Sequence, residues 1–273
     1  METDKREPIV KDTVELESEF LKRKITVDFY LPFQLDITPA LLLINDGQEM
    51  EKLGLEKILD ELYSSNKIDP IFCACIHAGV DRKMEYGTAS TVDYKGRGSR
   101  AKLYTSFIFQ ELIPYIRQNY YPRGFSEKAF AGFSLGALSA LDISWNNPIE
   151  FSKVGIFSGS LWWRTRDKND KKYNDDTDRI MHQQIRHGDY FPWLKFFFEC
   201  GAADEEGDRN NNGIIDSIDD TLDLIKELVA KGYDKEKDIY YLQLDDGKHD
   251  VATWARAMPV FLKWGWGKDN LGM

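Results

Sequence analysis

Gly132-Phe133-Ser134-Leu135-Gly136 decides the reading of this chain. A serine flanked by glycines at i−2 and i+2 fits a sharp turn from strand to helix, with the hydroxyl held clear of the sheet. The flanks agree. Ala129-Phe130-Ala131 before it suits a buried strand, and Ala137-Leu138-Ser139-Ala140-Leu141 after it continues as a packed helix. The five residues alone are a weak pattern, so the rest of the chain must carry the argument.

Outward from the turn, short apolar runs read as strands: residues 24–31, 41–44, 71–76, 129–133, 154–157, 196–198 and 239–244. Most are continuously apolar, as strands covered on both faces require. Helical patterns fall between them, at about 51–64, 100–119, 135–146, 219–231 and 251–264. This alternation predicts an α/β chain: one domain with a mostly parallel central sheet and helices on both faces. A polar stretch, about 164–190, has no strong period and reads as an insertion over the carboxyl edge of the sheet, where such folds bind ligands.

Composition narrows the function. The 273 residues carry 30% charged and 42% hydrophobic side chains, enough for a full core. A formal charge of −10 argues against nucleic acid or an anionic membrane as partner, and slightly against a strongly anionic substrate. No apolar run approaches the roughly 20 residues that span a bilayer. The opening Met1–Pro8 has no apolar leader core, so no signal peptide is expected there; cytoplasmic and exported placements both fit. Cys73, Cys75 and Cys200 read as small core residues rather than disulfides or zinc ligands.

A serine nucleophile needs a base, and the base needs a carboxylate, in the chain order Ser, Asp/Glu, His for α/β-hydrolases. The apolar run ending at Cys200 leads into Gly201-Ala202-Ala203-Asp204-Glu205-Glu206, which offers the acid; Asp204 has the stiffest side chain nearest the strand end. The run ending at Leu244 leads into Asp245-Asp246-Gly247-Lys248-His249-Asp250, which offers the base. His249 is one of four histidines; His77 could line the cleft, and His182 and His187 lie in the insertion. The amide of Leu135, opening the helix after the serine, is one candidate donor to an oxyanion. The amide of Gln48, in Asn45-Asp46-Gly47-Gln48, is the second, although a plain turn explains that tetrapeptide too.

These motifs, with Phe157-Ser158-Gly159-Ser160-Leu161-Trp162-Trp163 and Gly247-Lys248-His249-Asp250, resemble the "putative esterase" family. Its members include enterochelin, feruloyl and acetyl-xylan esterases, S-formylglutathione hydrolase and the mycolyltransferases. The likeness runs from about residue 14 to 264. It implies an α/β-hydrolase with Ser134 as nucleophile, Asp204 as acid, His249 as base, and Gln48 and Leu135 amides as oxyanion donors. Ala137 stands where many members have a further glycine, and the separate N-terminal domain typical of enterochelin esterases has no counterpart here. Trp162 and Trp163 could stack on substrate or pack beneath the insertion. Arg82 and Tyr86, in a Gly/Arg/Tyr-rich segment that also holds Arg97, could reach the substrate or be solvated loop residues.

Residues 208–219 fit a twelve-residue calcium loop: Asp208, Asn210, Asn212, the Ile214 carbonyl, Asp216 and Asp219 at the ligand positions, with Gly213 at the turn. Calcium is therefore an expected structural cofactor, placed to stiffen the segment that carries Asp204. The reaction expected is hydrolysis of a small-molecule carboxylic ester, carbohydrate-linked, aromatic or siderophore-derived. The alternatives are an acyltransferase of the same fold and a non-catalytic, calcium-stabilised carbohydrate-binding protein.

Overall fold

The computed structural model describes residues 9–32 and 38–268; the opening octapeptide, where no leader is expected, lies outside them. Eight strands form one sheet: β1 (Val10–Ser18), β2 (Arg23–Leu31), β3 (Ala40–Asn45), β4 (Ile71–Ile76), β5 (Lys128–Phe133), β6 (Lys153–Phe157), β7 (Lys195–Ala203) and β8 (Ile239–Lys248). Their order is β1-β2-β4-β3-β5-β6-β7-β8, with β1 and β2 antiparallel and β4 through β8 mutually parallel. The helices are α1 (Met50–Leu53), α2 (Leu55–Ser64), α3 (Arg82–Glu85), α4 (Ala101–Phe107), α5 (Ile113–Asn119), α6 (Leu135–Asn146), α7 (Asp175–Asp178), α8 (Ile180–His187), α9 (Asp216–Lys231) and α10 (Val251–Trp266). This is the α/β-hydrolase architecture, and the sheet is mostly parallel as the sequence predicted.

Period-two alternation divides the apolar runs between two cores. Leu41, Leu43, Phe196 and Phe198 face the core that holds α4, α5, α6 and α8. Leu42, Ile44, Cys73, Cys75 and Phe197 face the core that holds α2 and α10. The cysteines are free and buried. Residues 135–145 of α6 are buried on every side, so this helix is enclosed and its N-terminus is rigidly placed.

Several boundaries differ from the sequence reading. The helix predicted over 51–64 breaks at Gly54. The 100–119 helix contains a π turn at Ile108–Leu112. Strands β7 and β8 run past the apolar segments to Ala203 and Lys248, with a register shift between Gly201 and Ala203. Part of the polar insertion is helical: α8 buries Ile180, Met181, His182 and Ile185. Strand β1 was not predicted.

From β3 the chain passes to β4 on one side of the sheet, and from β5 to β6 on the other. The crevice between the carboxyl ends of β3 and β5 is thus the topological switch point, where open α/β sheets bind ligands. The Asp46–Gln48 turn follows one of these strands and Ser134 the other.

Candidate active site

Ser134 joins β5 to α6 with φ 54° and ψ −120°, a strained conformation for a residue with a Cβ. Its backbone is held by Ser134 N donating to the Phe157 carbonyl (2.9 Å) and by Ser160 N donating to the Ser134 carbonyl (3.1 Å). The flanking glycines are explained by contact. A Cβ at residue 132 would lie 2.4 Å from the Gly136 carbonyl oxygen, and one at residue 136 would lie 2.5 Å from Asp46 Oδ2. Only glycine lets the turn close this tightly.

Asp204 and His249 are set side by side by strand pairing. Ala203 pairs with Lys248 in the parallel β7–β8 ladder, so each of the two residues is the next step beyond a paired position. His249 Nδ1 lies 4.0 Å from Asp204 Oδ2, and the Asp204 side chain is 1% exposed. Neither Asp204 oxygen has a hydrogen-bond partner of normal geometry. A buried carboxylate without such partners is costly, and the imidazole is the cation-capable group beside it. Burial pushes the Asp204 carboxyl up, against the opposing influence of the Ser158 hydroxyl and His249. The Ser158 hydroxyl also donates to Glu199 Oε2 (3.4 Å) and accepts from Trp254 Nε1 (3.0 Å).

Behind this pair, Glu199 is fully buried on β7; burial first, then the Asp204 charge, pushes its carboxyl up to about 8. Burial pushes the His249 pKa down, Asp204 opposes this, and the Arg82 cation lowers it further. A neutral imidazole, the form a general base needs, is therefore favoured near neutral pH. The His249 ring meets the edge of Trp254 (5.5 Å between centroids), and Trp254 lies on Phe133 (4.9 Å), the residue before Ser134. The loop is anchored by Asp250, whose Oδ1 accepts from Thr253 N (2.9 Å) and caps α10.

Leu135 opens α6, with its amide at the helix N-terminus beside the serine. Gln48 lies in the short 3₁₀ turn Gly47–Glu49, and its Oε1 accepts from Ala78 N (2.9 Å). Asp46, at φ 62°, is gripped by both arms of Arg82 (Nε to Oδ1 2.6 Å, Nη2 to Oδ2 2.7 Å). The Tyr86 hydroxyl accepts from Asp46 N (3.3 Å).

Two of the residues expected to touch substrate sit behind the surface. Tyr86 is 1% exposed beneath Asp46, and Trp163 is fully buried against Gly87 and Gly98. Arg82 and Trp162 keep exposed surface. His77 is paired with Asp28 (2.9 Å) on β2 and stays partly exposed. Of the three candidate acids, Asp204 is the one beside His249; Glu205 stands near Asp216 and Asp220, whose charges add to its burial in raising its pKa. Ser160 was not singled out by sequence, yet its Oγ lies 3.5 Å from Ser134 Oγ. Its place in the quoted Phe157–Trp163 motif was the available signal.

In the 208–219 loop, the Asn210 and Asn212 amides both reach Asp219 Oδ2 (2.9 and 2.8 Å), and Asp208 receives the amides of Asn212 and Gly213. Asp216 opens α9 and is engaged by Arg209 (3.1 Å) and Lys168 (3.3 Å). Among the described residues, no group of three or more His, Cys, Asp or Glu is gathered around a common point.

Comparison with known proteins bears on this geometry. A sequence profile of the family described as "Putative esterase" matches residues 18–264. The chain belongs to this esterase family. Membership makes it a hydrolase of the esterase class, and favours an enzyme over a non-catalytic binding protein. An uncharacterized protein of Bacillus subtilis (strain 168), YjcH, is 25% identical over 253 residues, covering 90% of this esterase and 93% of YjcH. The enterobactin esterase FES of Shigella flexneri superposes with a TM-score of 0.72 at 20% identity, over 94% of this esterase and 59% of FES. This esterase thus spans about three fifths of FES. A ferulic acid esterase superposes with a TM-score of 0.69 at 18% identity, over 94% and 97% of the two chains. At these identities the solved structures support the fold. Among the described residues no helix is long and apolar enough to cross a membrane.

Proposed function

We propose that this chain is a serine carboxylic-ester hydrolase that works through Ser134, His249 and Asp204. The observation that carries the reading is the strained Ser134 at the strand–helix turn, on the same sheet edge as the adjoining Asp204 and His249. Ser134 Oγ attacks the acyl carbon as His249 takes its proton; Asp204 holds the imidazole in the tautomer whose free nitrogen serves as base. The Leu135 and Gln48 amides receive the developing oxyanion, each contributing about 3 kcal/mol to the transition state. The alcohol leaves with the proton from His249, and water activated by the same imidazole releases the acid.

Ser134→Ala tests this with p-nitrophenyl acetate. Hydrolysis falls to background if the reading is right; retained activity refutes it.

Calcium at 208–219 belongs to the same proposal, as a structural ion. Its support is the loop geometry: Asn210 and Asn212 both meet Asp219, and Asp208 accepts from the Asn212 and Gly213 amides of the turn. Asp216 would then act through a water or not at all, since Arg209 and Lys168 hold it.

A further inference from the structure

A cavity of about 210 Å³, lined in part by Trp162 and Glu205, carries a charge that opposes that of the whole molecule. Lys95, Arg97, Arg164 and Lys168 line it, against Glu205 and Asp216, in a chain of net charge −10. Two of the cations are already matched: Arg97 by Asp93 (Nε to Oδ2 2.7 Å), and Lys168 by Asp216 (3.3 Å). The other two meet rings, with the Asp167 carboxylate also within electrostatic reach of Arg164. Arg164 stands over Tyr94, Trp162 and Tyr173 at 5.6–6.0 Å, and Lys95 over Tyr94 at 5.3 Å. Among the described residues neither has a carboxylate within 4 Å, and the buried Nε of Arg164 has no hydrogen-bond partner. Glu205, exposed on the opposite wall, is the remaining carboxylate of the lining, so four cations face two carboxylates there.

Backbone contacts join this cavity to the reaction centre. Ser160, whose Oγ is 3.5 Å from Ser134 Oγ, begins the turn that carries Trp162, closed by Trp163 N donating to the Ser160 carbonyl (3.2 Å). The opposite wall, Glu205, directly follows Asp204. Trp162 itself lies under Arg97 (4.9 Å) and Arg164 (5.7 Å), a flat apolar surface with cationic flanks.

We infer that the ester cleaved here carries an oxyanionic group, a carboxylate or its equivalent, seated against Trp162 with Arg164 and Lys95 as its counter-ions. This rests on the esterase reading and names its substrate class. It also reverses, locally, the expectation that an acidic protein disfavours an anionic substrate.

The test pairs a kinetic and a binding measurement. The kinetic arm compares 4-nitrophenyl hydrogen glutarate with the neutral 4-nitrophenyl pentanoate. The binding arm titrates 4-methoxybenzoate and 4-methoxybenzamide into Ser134→Ala by calorimetry. The inference predicts that the anion of at least one pair is favoured by about tenfold, the worth of one charge-assisted hydrogen bond. That ratio should shrink at high salt and in Arg164→Gln or Lys95→Gln; a ratio taken within one variant cancels any loss of folded protein. Turnover of the pentanoate with no anion preference in either arm, or a preference untouched by both substitutions, overturns the inference while the esterase reading stands. Anion-selective binding that needs Arg164, with no turnover of any ester, supports the subsite and overturns the esterase reading.

Discussion

His249 Nδ1 stands 4.0 Å from Asp204 Oδ2, just beyond the paired residues Lys248 and Ala203. The separation is longer than a hydrogen bond, as catalytic contacts commonly are before substrate binds. Asp204→Asn should lower kcat on the order of 10⁴-fold, because the amide favours the wrong imidazole tautomer. Steady-state kinetics on p-nitrophenyl acetate measures this, and a loss of less than tenfold would remove Asp204 from the mechanism.

The pH profile has a definite sign. Burial lowers the His249 pKa, Asp204 raises it, and Arg82 lowers it. The acid limb of kcat/KM should therefore fall below the ordinary histidine value of about 6.5. Arg82→Gln should move that limb to higher pH and Asp204→Asn to lower pH, read from the residual activity of each variant. Shifts of the opposite sign would detach this limb from His249.

His182 contributes to acid stability. It is 1% exposed, with Nε2 on the Asp220 carbonyl (2.8 Å), and burial, then the Arg179 charge, pushes its pKa down to about 3. Between about pH 3 and 6.5 the unfolded chain therefore binds a proton that the folded chain excludes. The contribution is fully present above 6.5 and is lost as pH falls, by up to about 1.4 kcal/mol per pH unit. His182→Gln should flatten urea-derived stability against pH across this window, by about one proton.

Gly136→Ala places a methyl 2.5 Å from Asp46 Oδ2 and 3.0 Å from Asn45 Cβ. Arg82 clamps Asp46, so the oxygen cannot swing aside without breaking that ion pair. The expected cost is about 1–3 kcal/mol in stability. Displacement of the turn carrying Gln48 should cost on the order of 10²-fold in kcat. Thermal melts and kinetics on the same preparation measure both.

Exhaustive chelation should lower the thermal midpoint by roughly 5 °C, and added calcium should restore it. Asp219→Asn should abolish the difference, because Asp219 is where the two asparagine amides meet. A midpoint indifferent to calcium would leave Arg209, buried among Asp175, Asp216 and Asp220, as what holds this segment.

How much was legible in the sequence follows from how local each signal is. Ile71–Ile76 and Leu135–Asn146 were read with their observed bounds, because continuous apolarity and an enclosed helix leave a strong linear pattern. Strand β1 escaped because it is an edge strand whose exposed face alternates charges such as Glu15 and Glu17 with few large apolar residues. The ends of β7 and β8 were missed because the pairing of Ala203 with Lys248, beyond a register shift, is a non-local contact that the exposed polar residues Asp245 and Asp246 do not announce. At the site, chain order was enough to suggest Ser134, Asp204 and His249. The cationic cavity was not legible, since Lys95 and Arg97 reach Trp162 and Arg164 from a separate loop. That Arg209 folds back onto Asp216 was not legible either, since a ligand spacing carries no information on ion pairs between side chains of the same loop.

The central claim is that Ser134 is an activated nucleophile, and covalent labelling tests it most directly. A fluorophosphonate probe should add one equivalent to the folded protein, mapped by peptide mass spectrometry to Ser134 and lost in His249→Ala. Labelling elsewhere, or none at a concentration that saturates known serine hydrolases, would contradict the account.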